Sequence, residues 1–206
     1  MTEPNTPTKP LVAASDVRKR FWGSLSPWSI MVAIVLLAVC QLRIQGRLWW
    51  CACGPWSVWA GDVWSSHNSQ HLLDPYSFTH VLHGVLLYGL ATWAWPRLPH
   101  AWRLCLVISI EALWEVFENS AFVIDRFRTV TMAFDYQGDT IANSLGDILS
   151  CGFGVVLARR LRFWRSLTLF VVTELILLLW IRDSLLLNVW MLICPSDAIK
   201  AWQIGA

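Results

Sequence analysis

Residues 138–182 read GDTIANSLGDILSCGFGVVLARRLRFWRSLTLFVVTELILLLWIR. Two apolar runs, 138–158 and 164–181, are separated by the basic cluster Arg159, Arg160 and Arg162. Each run approaches the roughly 20 residues a helix needs to cross the hydrocarbon core of a bilayer. A basic cluster between two such runs is the pattern that holds a short loop on the cytoplasmic side. Upstream, the same pattern recurs at 28–44, at 78–95, which Pro96 and Pro99 terminate, and at 101–124. Downstream, Leu185 to Ile193 is apolar but too short to cross.

The expected fold is therefore an all-α integral membrane protein with about five transmembrane helices and a C-terminal interfacial or re-entrant helix. Composition points the same way. Hydrophobic residues make up 56% of the chain and charged residues 15%, too few to cover a soluble domain of 206 residues. Fifteen residues are Trp, and Trp28, Trp49, Trp93, Trp95, Trp102, Trp164 and Trp180 fall near the ends of the apolar runs, where an aromatic belt meets the headgroups. Residues 1–26 are polar and carry Pro4, Pro7 and Pro10, so they read as a disordered cytoplasmic tail, with 27–206 forming one transmembrane domain. That polar head is long and no A-x-A site follows the first run, which favours a retained helix over a cleaved signal peptide. With the N-terminus inside, ten of the sixteen Lys and Arg residues fall on the inner side, and the C-terminus lies outside. A net charge of +2 is too small to point to a nucleic-acid partner; membrane lipids are the expected one.

Polar groups interrupt these runs in a regular way. Glu111, Glu115, Glu118 and Asn119 share one face of the third helix. Asp139, Asn143 and Asp147 share one face of the fourth, and His80 and His83 lie one turn apart on the second. Ionisable groups at such depth cost about 2.5–3.5 kcal/mol each on insertion scales, so they should face the bundle interior or water. Counting about 1.5 Å per residue from the outer boundary puts His83, Glu118 and Asn143 at one level, Glu115 and Asp147 deeper, and His80 and Asp139 near the surface. Imidazole and carboxylate together suit a divalent transition metal such as zinc. The expected ligands are His80, His83, Glu118 and Asp139. Glu115, Glu118, Asp139, Asn143 and Asp147 are the candidate catalytic and supporting groups, because without a metal the same side chains can exchange protons. Arg126, Arg128 and His71 are the candidates to hold an anionic substrate group. The competing reading makes the whole cluster a hydrogen-bonded packing network, with Glu174 a packing residue in the fifth helix. Gly138, Gly146, Gly152 and Gly154 are read as points where another helix comes close. Cys51, Cys53 and Cys194 fall outside, where disulfides are permitted; a direct Cys51–Cys53 bond would be strained, which leaves Cys194 as the alternative partner.

Several stretches carry a family resemblance over nearly the whole chain after the tail. They are Cys51-Ala52-Cys53-Gly54, Ser65 to His71, Phe78 to Gly84, Glu118-Asn119-Ser120, Asp135 to Asp139 and Ile181 to Ser184. Together they resemble an uncharacterised multi-pass bacterial inner-membrane family of unknown function. More distantly, His83, Glu118 and the Asp139, Asn143, Gly146 segment resemble the VanZ-like membrane families. The resemblance implies a helical scaffold with a polar centre in the bacterial inner membrane, and favours a role with cell-envelope lipid or glycolipid over solute transport. A membrane-embedded hydrolase or transferase acting on a lipid-linked substrate is the leading expectation. A lipid-binding accessory protein or small transporter is the alternative, and the scarcity of ionisable groups in the inner halves of the helices counts against transport.

Overall fold

Ser26 opens the first helix by accepting a hydrogen bond from the Trp28 amide, and Pro27 occupies the first helical position, where its missing N–H costs nothing. In a computed structural model of the protein, which describes residues 26–54, 57–133 and 135–205, seven helices follow one another. They are α1 (Pro27–Ile44), α2 (Ser77–Ala94), α3 (His100–Glu118), α4 (Ala121–Val130), α5 (Ile141–Ile181), α6 (Leu185–Ile193) and α7 (Asp197–Ile204). Among the described residues the only β pairing is an isolated bridge between Trp59 and Leu73. The tail expected over residues 1–26 lies, apart from Ser26, outside the described residues.

Helix directions follow from their contacts. Gln45, just past the end of α1, donates to the Val116 carbonyl near the end of α3, and Ala38 packs with Ile108 and Ala112. Helices α1 and α3 are therefore parallel. Helices α2 and α3 are antiparallel, since Tyr88 meets His100 while His80 meets Glu111. The first arm of α5 runs parallel to α2, Ser77 meeting Asp147 and Gly84 meeting Gly154. Arg162, with φ 63°, breaks α5 into two arms, at the basic cluster where the sequence predicts a turn. The second arm returns, so that Trp180 stacks on Trp59 beside Phe78 at the start of α2. The chain thus passes five times between two poles, with the ends of α1, α3 and α5 and the start of α2 at one of them.

Two of these helices, α1 and α5, are long and apolar enough to cross a membrane. Helices α2 and α3 match α1 in length, at 18 and 19 residues, but carry the imidazoles and carboxylates that lower their hydropathy.

The third apolar run differs from the expected continuous span over 101–124. Helix α3 stops at Glu118, and Ser120 caps a separate α4 by accepting from the Val123 amide. The cause is Asn119, whose side chain is drawn into hydrogen bonds with both the amide and the carboxylate of Asp139. Glu174 accepts from the amides of Leu185 and Leu186, so it satisfies the exposed donors at the N-terminus of α6.

The connection 45–76 packs down beside α5. Leu48 and Trp49 accept from the Ile141 and Ala142 amides, Ser69 accepts from Thr140, and Asn143 donates to the His71 carbonyl. These bonds use the free amides of the first turn of α5 and tie the connection to the helix bundle.

Candidate functional site

The polar faces of α2, α3 and α5 converge on a cavity of about 380 Å³. His80 is its most connected side chain, almost wholly buried with carboxylates on both sides of the ring. Its Nδ1 lies 2.5 Å from Glu111 Oε1 and 3.4 Å from Glu115 Oε1, and its Nε2 lies 3.8 Å from Asp147 Oδ2. His83 Nδ1 approaches both Glu111 oxygens, at 3.1 and 3.0 Å. A carboxylate only accepts, so both imidazoles donate from Nδ1 to Glu111. Ser77 Oγ donates to Asp147 at 2.9 Å and fixes that carboxylate from the other side.

Glu115 is different. It is fully buried, and neither carboxylate oxygen has a hydrogen-bond partner among the described residues. Its one ion-pair neighbour among the described residues is His80 at 3.4 Å, and a buried carboxylate that receives no hydrogen bond is costly and calls for a proton, a water or a cation. Two ligand sets of compatible spacing share His80: His80, His83 and Glu111, and His80, Glu115 and Glu118. Imidazole and carboxylate in that number fit zinc or another first-row divalent ion.

Beside this group Asp139 accepts from Asn119 Nδ2 at 2.8 Å and from the Tyr136 hydroxyl at 2.9 Å. Asn143 donates to Asp74 as well as to the His71 carbonyl. Glu118, Asp139, Asn143 and Asp147 all line the cavity with His80 and His83. Asp74 accepts from the Ser69, Tyr76 and Ser77 amides, yet burial still pushes its carboxyl above the usual aspartate range. Asp183, at the far rim, receives bonds from Tyr76, Ser184 and Asn188, and burial pushes its pKa up to about 6. Leu86, Ile110, Leu185, Leu186 and Val189 add apolar side chains to the cavity lining.

The level assignment is corrected for both histidines. His80 is not near the surface but sits with Glu115 and Asp147, and His83 is not level with Glu118 but meets Glu111, seven residues and about 10 Å deeper along α3. Helix α2 begins beside Asp147, six residues into α5, because the 45–76 connection has already descended about 9 Å along α5 before α2 starts. Counting from the start of an apolar run misses this descent. Glu111, a member of the acidic stripe not chosen as a ligand, joins both histidines; the one-turn His80–His83 spacing opposite that stripe was the available signal.

Other candidates are placed away from the cluster. Arg126 donates twice to the Leu192 carbonyl at the end of α6, and Arg128 donates to the Tyr136 carbonyl and to Gln137. His71 is 2% exposed and lies with His67, Cys51 and Cys53 rather than on the cavity wall. The disulfide joins Cys51 to Cys53, whose Cα atoms are 5.3 Å apart, well within bridging range, while Cys194 is free and exposed.

The chain belongs to the family described as protein of unknown function (DUF2585), whose pattern matches residues 42–205. It is 43% identical over 182 residues to a UPF0314 protein of Sphingopyxis alaskensis, covering 88% of this chain and 97% of that one. A UPF0314 protein of Paracoccus denitrificans is 42% identical over 176 residues, covering 85% and 91%. One from Rhizobium etli is 41% identical over 194 residues, covering 94% and 100%. No solved structure matches the chain.

Proposed function

We propose that this member of the DUF2585 family is a multi-pass protein of the bacterial inner membrane that acts as a hydrolase or transferase on a lipid-linked substrate. The observation that carries this reading is the cavity itself, whose lining combines an imidazole and carboxylate cluster with apolar side chains. An amphiphile fits such a site, its polar group against His80, His83 and Glu111 and its chain along Leu86, Ile110 and Val189. The outward faces of the helices support a lipid surrounding, since Leu37, Leu149, Leu179 and Ile193 are exposed apolar side chains well distributed over the bundle.

The approach of His80 to Glu115 and to Asp147 supports proton exchange with a bound substrate, with Glu115, which receives no hydrogen bond, as the base. A divalent transition metal held by His80, His83 and Glu111, or by His80, Glu115 and Glu118, would supply Lewis-acid assistance. Asn119 and Tyr136 hold Asp139, and Ser77 holds Asp147, so the supporting carboxylates are fixed before substrate arrives.

The test is turnover of envelope lipid. Purified protein incubated with vesicles of total inner-membrane lipid should yield a lipid product, detected by mass spectrometry, that falls at least about 100-fold for Glu115→Gln and for His80→Ala, the range expected for loss of a general acid or base. Equal product from wild type and both variants, or no product from any lipid class, overturns the reading.

A further inference from the structure

A second cluster lies outside the cavity, on the connection between α1 and α2. Cys51 and Cys53 face His67 and His71, and one ligand atom from each lies within 4.8 Å of all the others. We propose that with its two cysteines reduced this cluster is a structural zinc site, closed by four protein ligands and separate from the catalytic cluster.

Four of the six edges among these atoms are near those of a tetrahedral site, while the two sulfurs are joined by the disulfide. Zinc bonds of about 2.3 Å to sulfur and 2.0–2.1 Å to nitrogen require sulfur–nitrogen edges of about 3.6 Å and a nitrogen–nitrogen edge of about 3.4 Å. The observed edges are 3.8 Å from Cys51 Sγ to His67 Nδ1, 3.1 and 4.0 Å from Cys53 Sγ to His67 Nδ1 and His71 Nε2, and 3.2 Å between the two nitrogens. Once the disulfide is reduced the sulfurs are free to part and complete the tetrahedron. The histidine spacing, H-x3-H, is one that zinc sites use, whereas C-x-C is one residue tighter than the usual cysteine pair.

The orientation of His71 is the second sign. Its Nδ1 lies 2.8 Å from the Ser57 carbonyl, to which it must donate, and this leaves the Nε2 lone pair directed at the sulfurs. Trp50 packs edge-on against the ring and Asn143 holds its backbone carbonyl, so the imidazole is fixed before any ion arrives. Two thiols and two imidazoles bind a zinc ion with release of two protons, and four protein ligands leave no open position for catalysis. The role is mechanical. Asn68 and Ser69 lie between the two histidines and line the cavity, so an ion here would hold that stretch of wall in place.

The experiment uses the full chain in detergent, treated with a phosphine, which converts the disulfide to two thiols and itself takes oxygen from water. After removal of reductant the protein is titrated with Co²⁺ and then Zn²⁺. The expected result is one Co²⁺ per chain showing thiolate-to-cobalt charge-transfer absorption, displaced by Zn²⁺. The band should be lost in Cys51→Ser/Cys53→Ser and in His67→Ala, and kept in His80→Ala/His83→Ala, which removes the cavity ligands instead. Cys53→Ser alone, at an exposed position, should lose the band as well, with folding checked by circular dichroism. Reduced wild type that is folded by circular dichroism but gives no charge-transfer band overturns the proposal, as does a band that survives the double serine variant. Loss of lipid turnover in His80→Ala with the band intact would bear on the cavity alone.

Discussion

Gly84 and Gly89 lie on the same helix, α2, and should respond to alanine in opposite directions. A Cβ at Gly84 would sit 2.0 Å from the Cys151 carbonyl oxygen and 3.0 Å from the Gly154 Cα, whereas one at Gly89 would meet nothing within 4 Å. The obstacle at Gly84 is helix backbone, which cannot rotate away, so α2 and the first arm of α5 must part by more than an ångström. Overpacking costs about 1–3 kcal/mol where side chains can shift, and a backbone obstacle belongs at the upper end. Alanine's better helix propensity returns about 0.5–1 kcal/mol. The net loss for Gly84→Ala is then about 2 kcal/mol, a fall of roughly 4–8 °C in Tm for a chain of this size. Gly89→Ala keeps only the propensity gain and should raise Tm by roughly 1–4 °C. Thermal unfolding in detergent, followed by near-ultraviolet circular dichroism, reads both. A Gly84→Ala protein that melts at or above wild type, or a Gly89→Ala protein that loses as much, would refute the close backbone approach of these two helices.

Asp183 predicts a pH dependence. Its folded pKa of about 6 lies above the ordinary aspartate value of 3.8, so between these pH values the folded state holds more protons than the unfolded state. Stability from this group is full below about pH 4 and declines as pH rises to about 6, by about 3 kcal/mol in all. Asp183→Asn should remove that slope from a denaturation series across this range; an unchanged slope would show that Asp183 is not its source. For topology, reporter fusions ending after Gly46, Pro99, Arg128, Arg162 and Asp183 should report outside, inside, outside, inside and outside. Surface labelling of the Pro99 turn in intact cells would overturn the proposed orientation.

Helix positions were legible from the order of residues because they depend on local rules. Apolar runs of 17 to 21 residues, Pro96 and Pro99 after α2, and the basic cluster around Arg162 mark where helices begin, stop or break without reference to any neighbour, whereas the run 101–124 gave no sign of the break that the Asn119 contact with Asp139 imposes. The stripes of Glu111 and Glu115 and of Asn143 and Asp147 were equally legible, since helical periodicity alone puts each set on one face. Close-approach glycines were partly so: Gly146 and Gly154 abut backbone, but Gly152 meets only the end of Ile108, and Gly84 gives no sign in sequence of what faces it.

What only the tertiary structure decided is the register between elements. His80 reaches Glu111, Glu115 and Asp147 because the 45–76 connection descends beside α5, and that descent depends on bonds from Ile141, Ala142 and Asn143 to residues far away in the chain. Arg126 and Arg128 look like free cations in sequence, yet backbone carbonyls at Leu192 and Tyr136 take them up. Cys51, Cys53, His67 and His71 meet because an irregular connection folds back on itself, and no period relates residues that a loop brings together.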